Sequence, residues 1–259
     1  MDKQSLVPEV LYEDANVLAL NKPAGLLVHG IYTNAGPKHT EETLVDWLAR
    51  SYPETQEVGD RDEQNLIRQQ RGGIVHRLDR DTSGVMIIAR NQKTFEYLKK
   101  LFQTKSIEKQ YVALVWGRIH EKSGVIDKPI SIKDGSVKRT VFKGKMPREA
   151  ETAYETKQYL SYRHGKHHDE LTLLDVFPKT GRTHQIRVHM SAIGHAVVGD
   201  KMYGKKGSLV LEDGTELNRH FLHAAQITFS PRVGAAKVTV VAPLPAELAR
   251  AIAVLEVIE

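Results

Sequence analysis

The order of strand-like and helix-like segments most restricts the fold of this chain. Runs of alternating or β-branched residues bounded by turn residues predict strands, at 10–12, 17–20, 26–28, 85–89, 109–117, 153–160, 171–177, 221–229 and 237–241. Three segments predict helices, at 43–50, at 92–102 and from about Thr183 to before Gly194. Because the strands do not alternate regularly with helices, the sequence predicts an α+β fold. We expect a mixed, largely antiparallel sheet flanked by helices, and a β-meander at its start.

Local signals support individual elements of this fold. Asn91 is a favourable N-cap for the helix at 92–102, and Phe95, Leu98 and Phe102 would share one face of it. No repeat, low-complexity tract or Pro/Gly linker divides the 259 residues. A single domain over residues 1–259 is therefore the predicted organisation.

The composition excludes several classes of site and location. With no cysteine there can be no disulfide, thiolate zinc site, iron–sulfur cluster or cysteine nucleophile. No run approaches the roughly 18 apolar residues of a membrane span, and the first residues lack the apolar core of a signal peptide. We therefore expect a cytoplasmic protein with no membrane partner.

Positive charge is concentrated in the middle of the chain. The net charge is −5 over residues 1–72, +12 over 73–210 and −2 over 211–259. Such a distribution suggests a cationic face for a polyanion, and a solvated lysine-rich surface is the open alternative. Within it, residues 133–148 predict a basic loop or hairpin suited to phosphate contacts, with six cations and Asp134 as the only acid. The cations are Lys133, Lys138, Arg139, Lys143, Lys145 and Arg148.

A polar bend over residues 72–84 is the most informative segment. One residue separates Arg77 from Asp79, so both side chains would lie on the same side of an extended backbone. An Asx or Ser/Thr turn accounts well for residues 81–83. It accounts less well for Asp79, a paired carboxylate beside the apolar strand 85–89, which has the character of a site.

Six motifs in order along the chain carry a family resemblance. They are Asn21-Lys22-Pro23-Ala24-Gly25-x-x-Val28-His29, His76-Arg77-Leu78-Asp79-x-x-Thr82-Ser83-Gly84, Lys109-x-Tyr111-x-Ala113, Thr180-Gly181-Arg182-Thr183-His184-Gln185-Ile186-Arg187-Val188-His189, Gly199-Asp200-x-x-Tyr203-Gly204 and Leu222-His223-Ala224. Together they resemble the RluA-type RNA pseudouridine synthases. The chain departs from the usual pattern at Gly30, where a proline commonly follows the histidine.

The resemblance implies the pseudouridine synthase fold and isomerisation of uridine within tRNA or rRNA, with no cofactor and no metal. It identifies Asp79 as the catalytic carboxylate, Arg187 as its charge partner and Tyr111 as the residue that stacks on the target uracil. Arg77 would fill the gap left by the flipped base. Lys138, Arg139, Lys143 and Lys145 would bind RNA.

Many family members carry a small RNA-binding domain ahead of the catalytic one. Here the catalytic pattern begins almost at the first residue, so we expect no separate N-terminal RNA-binding domain. RNA contact would then come mostly from the synthase domain itself. We further expect a monomer with no obligate protein partner.

Two other functions compete with this interpretation. A catalytically silent RNA-binding module would use the same basic face, but it would not need Asp79, Tyr111 and Arg187 together. A metal-dependent hydrolase would use the histidines of residues 162–169, although a polar hairpin loop is the simpler interpretation there. His184 and His189 are expected to form local hydrogen bonds.

Overall fold

The computed structural model describes residues 6–30, 32–33, 36–37, 41–60, 72–136, 138–165, 167–204, 207–211 and 214–258. The chain forms two compact units. Unit 1 is the chain up to Glu108 together with Gln226–Ala242, and unit 2 is Lys109–Ala225 together with Pro243–Glu259. The single-domain organisation stays a prediction.

The elements follow one another in an α+β order. The strands are β1 (Glu9–Glu13), β2 (Val17–Lys22), β3 (Tyr32–Thr33), β4 (Gly36–Pro37), β5 (Ser83–Ala89), β6 (Glu108–Trp116), β7 (Ser123–Asp127), β8 (Ile130–Ile132), β9 (Arg139–Thr140), β10 (Lys145–Arg148), β11 (Glu151–His164), β12 (His167–Pro178), β13 (Leu222–Phe229), β14 (Val238–Val241) and β15 (Glu256–Ile258). The α-helices are α1 (Leu44–Ser51), α2 (Gln92–Gln103), α3 (Gln185–Ala192) and α4 (Ala246–Ala253), and a 3-10 helix covers Pro53–Thr55. The predicted α+β class is confirmed. None of the helices in these described ranges is long and apolar enough to cross a membrane.

In unit 1, strand β2 lies between β1 and β5 and pairs with both in the antiparallel sense. All seven residues of β5 are buried. Val17 and Ile87 pack in one core cluster with Phe95 and Leu98 of α2. The apolar face predicted for this helix is therefore the face that it buries.

Polar caps begin the two α-helices of unit 1. The Asn91 side chain accepts a hydrogen bond from the Thr94 N–H at 3.0 Å, as predicted. At α1, Thr43 and Asp46 form a reciprocal capping box. Both helices thus begin where a side-chain oxygen replaces the missing backbone acceptor.

The strand predicted at 26–28 is wrong, and with it the third strand of the expected meander. This segment forms only a single parallel bridge, between Leu27 and Thr43. The preceding turn contains Pro23, which has no N–H, and Gly25 at a φ of 88°. The Pro23 and Leu26 carbonyls are also hydrogen-bonded to the Lys22 ammonium. In this segment two backbone carbonyl groups bind the Lys22 side chain instead of forming the hydrogen bonds of a strand.

In unit 2, strands β6, β12, β11 and β15 pair in that order, all antiparallel, and β7 also pairs with β11. Strands β11 and β12 form a long hairpin with a bulge between Thr156 and Gln158. Leu174 of β12 is fully buried in the main core of the unit, together with Phe221 and with Leu248 of α4. Residues of β6 and of α3 belong to the same core, and these two elements carry the site residues of unit 2.

The basic segment folds as a small sheet in which β8 lies between β9 and β10. Ile130 of β8 is buried with Ala150 and with Val188 of α3. We call residues 130–148 the basic sheet. Strands β9 and β10 lie within residues 133–148, the segment predicted as a basic loop or hairpin, and β8 directly precedes it.

Candidate active site

Asp79 lies in a tight turn at the start of the buried strand β5. The Thr82 N–H donates to the Asp79 carbonyl oxygen at 3.1 Å, which closes the turn. Leu78 on one side and Thr82 and Ser83 on the other are buried, whereas Asp79 itself is half-buried. The turn is therefore held at both ends while the carboxylate stays within reach of a ligand.

A buried lysine fastens this turn to the first motif. The Lys22 side chain has no exposed surface, and its ammonium donates to the carbonyl oxygens of Pro23 at 2.7 Å, Leu26 at 3.0 Å and Arg80 at 2.9 Å. The Gly25 N–H also donates to the Arg80 carbonyl, at 2.9 Å. Three carbonyl dipoles match the three N–H donors of the ammonium, which offsets the cost of burying the charge. Lys22 thus positions the turn that carries Asp79.

The segment before Asp79 is held against β5 by close backbone approach. At Gly73, with a φ of 73°, a Cβ atom would lie 2.0 Å from the Ala89 carbonyl oxygen, so only glycine fits. Further along, the His76 Nε2 accepts the Ile87 N–H at 2.9 Å, and its ring stacks on Phe102 at 4.7 Å. Arg77 is exposed on this fixed segment.

Tyr111 and Lys109 lie two residues apart on β6, so they share one face of that strand. Tyr111 is half-buried against the main core of unit 2 and pairs with Val176 of β12. Lys109 is half-buried, and its Nζ makes one long hydrogen bond, 3.4 Å, to the Thr180 carbonyl oxygen. No carboxylate in the described ranges forms an ion pair with Lys109, and burial lowers the pKa of its ammonium to about 8.

Arg187 projects from α3 and is 7% exposed. Its guanidinium forms a two-point ion pair with Asp200, with Nε 2.7 Å from Oδ2 and Nη2 3.0 Å from Oδ1. Burial alone would raise the pKa of the Asp200 carboxyl. The hydrogen bonds and charge of Arg187, with the N–H groups of Tyr203 and Met202, instead hold this pKa below its usual range. Arg187 is therefore fixed as a cation.

Tyr203 joins α3 to the basic sheet. Its hydroxyl accepts the Arg139 N–H at 2.9 Å and forms a hydrogen bond of 2.8 Å with His184 Nδ1. The Arg187 guanidinium carbon lies 5.2 Å from the centre of the Tyr203 ring. One side chain thus contacts β9, the start of α3 and the buried arginine.

The start of α3 is organised by side chains of the third motif. His184 adopts the left-handed conformation, with a φ of 58°, at the N-cap position. The Gln185 Oε1 accepts from the Thr180 hydroxyl at 2.7 Å and from the Arg182 N–H at 3.0 Å. The helix has no side-chain cap, and these polar contacts instead tie its first residue to the loop that precedes it.

His189 forms hydrogen bonds, as predicted, but its partners lie far from it in the sequence. Its Nε2–H donates to the Lys128 carbonyl oxygen at 2.9 Å and its Nδ1 contacts the Thr152 hydroxyl at 2.9 Å. Burial lowers the pKa of His189, so its imidazole is neutral at pH 7. Residues 164–167 form the turn of the β11–β12 hairpin. The side chains of residues 164, 166 and 167 lie outside the description, and the described residues contain no metal-binding cluster of three or more His, Asp or Glu.

The four predicted RNA-binding cations all belong to the basic sheet. Lys138, Lys143 and Lys145 are exposed and Arg139 is half-buried. The Lys138 ammonium donates to the Met202 carbonyl oxygen at 3.1 Å, and Lys145 lies 3.4 Å from Asp134 at the surface. The sheet therefore presents an excess of positive charge to solvent.

The structure distributes the predicted site residues between both units. Asp79 and Arg77 belong to unit 1, whereas Tyr111 and Arg187 belong to unit 2. The pairing of Arg187 with Asp79 stays a prediction. No role was predicted for four further residues, although each of them lies inside a motif. They are Lys22, Lys109, Asp200 and Tyr203. Their positions inside the motifs were the one feature of the sequence that could have identified them as site residues.

Comparison with known proteins gives one consistent result. Residues 16–192 match the RNA pseudouridylate synthase family. An uncharacterized RNA pseudouridine synthase of Aquifex aeolicus is 40% identical over 78% of this chain, which spans 57% of that relative's length. The dual-specificity RNA pseudouridine synthase RluA of Vibrio vulnificus is 33% identical over 85% of this chain and 77% of its own. The solved structure of human RNA Pseudouridylate Synthase Domain Containing 1 has a TM-score of 0.68 and 25% identity, covering 95% of this chain and 87% of its own.

Proposed function

The chain belongs to the RluA-type RNA pseudouridine synthases, and from this premise we propose that it isomerises uridine in RNA with Asp79 as the catalytic carboxylate. In this reaction the N-glycosidic bond of a uridine breaks, the base turns, and its C5 is joined to the ribose. A carboxylate can act as the nucleophile or the base in such a reaction and is regenerated at the end.

One observation carries the assignment of Asp79. It is a half-buried carboxylate in a turn that is closed by its own backbone, continues into the buried strand β5 and is tied to Lys22 through Arg80. A catalytic group must be held in place without being covered, and this turn meets both requirements. The motif that contains Asp79 also matches the family signature residue by residue.

Arg187 is the proposed charge partner of Asp79. A carboxylate in a desolvated pocket stays ionised only when an opposite charge or hydrogen bonds favour the charged form. The Asp200 pair fixes the Arg187 guanidinium, so its orientation is set before RNA binds. We assign Asp200 as a positioning residue for Arg187.

Tyr111 and Arg77 are proposed to act on the displaced base. The half-buried phenol ring of Tyr111 is suited to stack on uracil, and its hydroxyl to take part in proton transfer at C5. The exposed guanidinium of Arg77 is planar and can fill the gap left when a uridine leaves the stack, which costs a few kcal/mol of stacking.

The proposed substrate is tRNA or rRNA, held through Lys138, Arg139, Lys143 and Lys145 of the basic sheet. Exposed cations bind phosphates independently of sequence, and they fix the position of the RNA on the protein. A cytoplasmic location and action as a monomer complete the proposal, and gel filtration tests the second of these. No cofactor enters the proposed reaction.

Tritium release from C5-labelled uridine tests the proposal, with tRNA and rRNA that lack the modification as substrates. The parent protein should release tritium from at least one pool, and Asp79→Asn should bind RNA normally but release none, because an amide cannot replace the ionised carboxylate. Asp81→Asn removes a carboxylate from the same turn and serves as the matched control, which should remain active. Full activity of Asp79→Asn would overturn the assignment. Tight RNA binding with no release by the parent would favour the silent RNA-binding module.

A further inference from the structure

Two apolar side chains stand exposed on the basic sheet. Phe142 is 74% exposed and Met146 is 63% exposed. Single exposed apolar residues are common on protein surfaces and need no explanation by themselves. The backbone around these two residues and the charges beside them distinguish this pair.

The backbone between them is tightly constrained. At Gly144 a Cβ atom would lie 2.6 Å from the Ile132 carbonyl oxygen and 2.8 Å from the Ser131 Cβ, so the chain passes directly against β8. Met146 has a φ of 51°, which costs a residue with a side chain about 1 kcal/mol. The β8–β10 register also shifts between Lys145 and Arg148. The exposure of Met146 thus accompanies a strained and irregular strand.

Phe142 is held by a turn of its own. Its backbone N–H donates to the Thr140 hydroxyl at 3.0 Å, directly after strand β9 ends. This hydrogen bond restrains the backbone from which the ring projects, so less backbone freedom is lost when a ligand packs on the ring. The ring is therefore accessible to a ligand and is not part of the adjoining core.

Cations are the sequence neighbours of the two apolar residues. Lys143 follows Phe142 directly, Lys145 precedes Met146, and both are exposed. Asp134, which pairs with Lys145, is the only acid between residues 130 and 148. Exposed aromatic rings among cations suit single-stranded RNA, because the rings stack on unpaired bases while the cations bind the backbone. A duplex offers phosphates but no free base face.

We propose that Phe142 and Met146 form a contact surface for an unpaired base of the RNA substrate, with Phe142 stacking on the base and Met146 packing at its edge. This inference rests on the proposed function, since it names how that substrate is recognised. The basic sheet would then recognise unpaired loop bases and also bind phosphates.

Salt titration of RNA affinity separates stacking from charge. Phe142→Ala should weaken binding of an RNA hairpin with an unpaired loop by roughly 5- to 150-fold, the range expected for one stacked base. It should leave binding of a fully paired duplex unchanged. The slope of log affinity against log salt should stay the same, whereas Lys143→Gln should reduce the slope by about 1. In turnover, Phe142→Ala should raise KM more than it lowers kcat.

Two further variants control for loss of apolar surface in general. Phe142→Tyr keeps the ring and should retain loop binding, and Val233→Ala removes an apolar side chain that is 82% exposed in unit 1 and should have no effect. Equal loop affinity of Phe142→Ala and the parent would overturn the inference, as would a change confined to self-association in sedimentation. The parent's own tritium release tests the proposed function separately. Release with unchanged loop binding would therefore overturn this inference alone.

Discussion

Two lysines in this chain show how the surroundings of a single ammonium decide what it can do. Lys22 is fully buried and donates to three carbonyl oxygens, whereas half-buried Lys109 makes one hydrogen bond of 3.4 Å. The first has all of its donors satisfied and acts as part of the framework. The second is desolvated without compensation, which is the environment of a group that meets an anionic ligand.

Replacing Lys22 should weaken both the fold and the reaction. Lys22→Met keeps most of the volume but removes the ammonium that donates to the carbonyl oxygens of Pro23, Leu26 and Arg80. We expect a loss of free energy of unfolding on the order of 3 kcal/mol, measured by urea denaturation, and lower turnover at temperatures where the variant remains folded. Lys93→Met, at an exposed site on α2, should change the free energy of unfolding by less than about 0.5 kcal/mol. Equal stability of the two variants would contradict the framework role.

Replacing Lys109 should have the opposite effect on stability, and the effect should depend on pH. Burial lowers the pKa of this ammonium to about 8, so the charged form disfavours the folded state. The penalty is present below pH 8 and disappears as pH rises towards about 10.4, the pKa of an unfolded lysine. Lys109→Met should therefore be more stable than the parent at pH 7, by at most about 3 kcal/mol. The difference should shrink by pH 10, as measured by urea denaturation at both values. A pH-independent difference would show that Lys109 is not desolvated.

The segment of residues 199–204 organises several elements of unit 2 at once. Asp200 pairs with Arg187 of α3, and Tyr203 reaches β9 through the Arg139 N–H and the start of α3 through His184. A helix of eight residues is marginal alone, so its position depends on such contacts. The orientation of Arg187 is thus a property of this assembly and not of the helix sequence.

The buried pair makes stability sensitive to acid. Asp200 has a lowered pKa in the folded chain, so its contribution is complete above the unfolded value of about 3.9 and is lost as pH falls through the folded value. Asp200→Asn should lower the free energy of unfolding by roughly 3 kcal/mol at pH 7, because the buried Arg187 guanidinium loses its ion pair with the Asp200 carboxylate. The gap to the parent should narrow below about pH 4 in urea denaturation. Asp134→Asn, in an exposed pair, should show neither effect.

The basic sheet should account for much of the salt dependence of RNA binding. Replacing Lys138, Arg139, Lys143 and Lys145 together by glutamine should reduce the slope of log affinity against log salt by about 3, because four phosphate contacts would be lost. Replacing Lys122 and Lys157, which lie outside this sheet, should change the slope far less. An unchanged slope in the fourfold variant would assign the phosphate contacts to other cations.

The whole chain divides its charge between the two units unevenly. Unit 1 has 16 Lys and Arg against 16 Asp and Glu, whereas unit 2 has 21 against 16. The excess positive charge of the protein therefore belongs to unit 2, which contains the basic sheet. Unit 1 contributes Asp79 and Arg77 from an electrically balanced body. The cations proposed to bind RNA and the proposed catalytic carboxylate thus belong to different units.

Elements with strong local patterns were predictable from the sequence. Helix α2 has a polar cap and an apolar face within one stretch, and β5 is a continuous apolar run, so both lie close to their predicted bounds. The strand at 26–28 failed because Lys22, four residues before Leu26, takes up carbonyl groups there and at the distant Arg80. No local pattern contains that contact.

Some residues of the candidate site could likewise be proposed from local sequence patterns, and others could not. Asp79, Tyr111 and Arg187 could be proposed from the sequence because each occupies a recognisable position in a motif. The role of Asp200 depends on a turn that brings it to an arginine 13 positions away, and the desolvation of Lys109 depends on its burial beside Thr180. Only packing reveals these roles, since residue types and spacing are the same in many solvated loops.

The lowered pKa of Lys109 also makes it chemically distinct from an ordinary lysine. At pH 7 an amine with a pKa near 8 is about 10% unprotonated, against less than about 0.1% for an ordinary lysine. Only the unprotonated amine has a lone pair to offer an electrophile. Lys109 is therefore more nucleophilic at neutral pH than an ordinary lysine, whereas the Lys22 side chain is fully buried and its ammonium donates to three carbonyl groups.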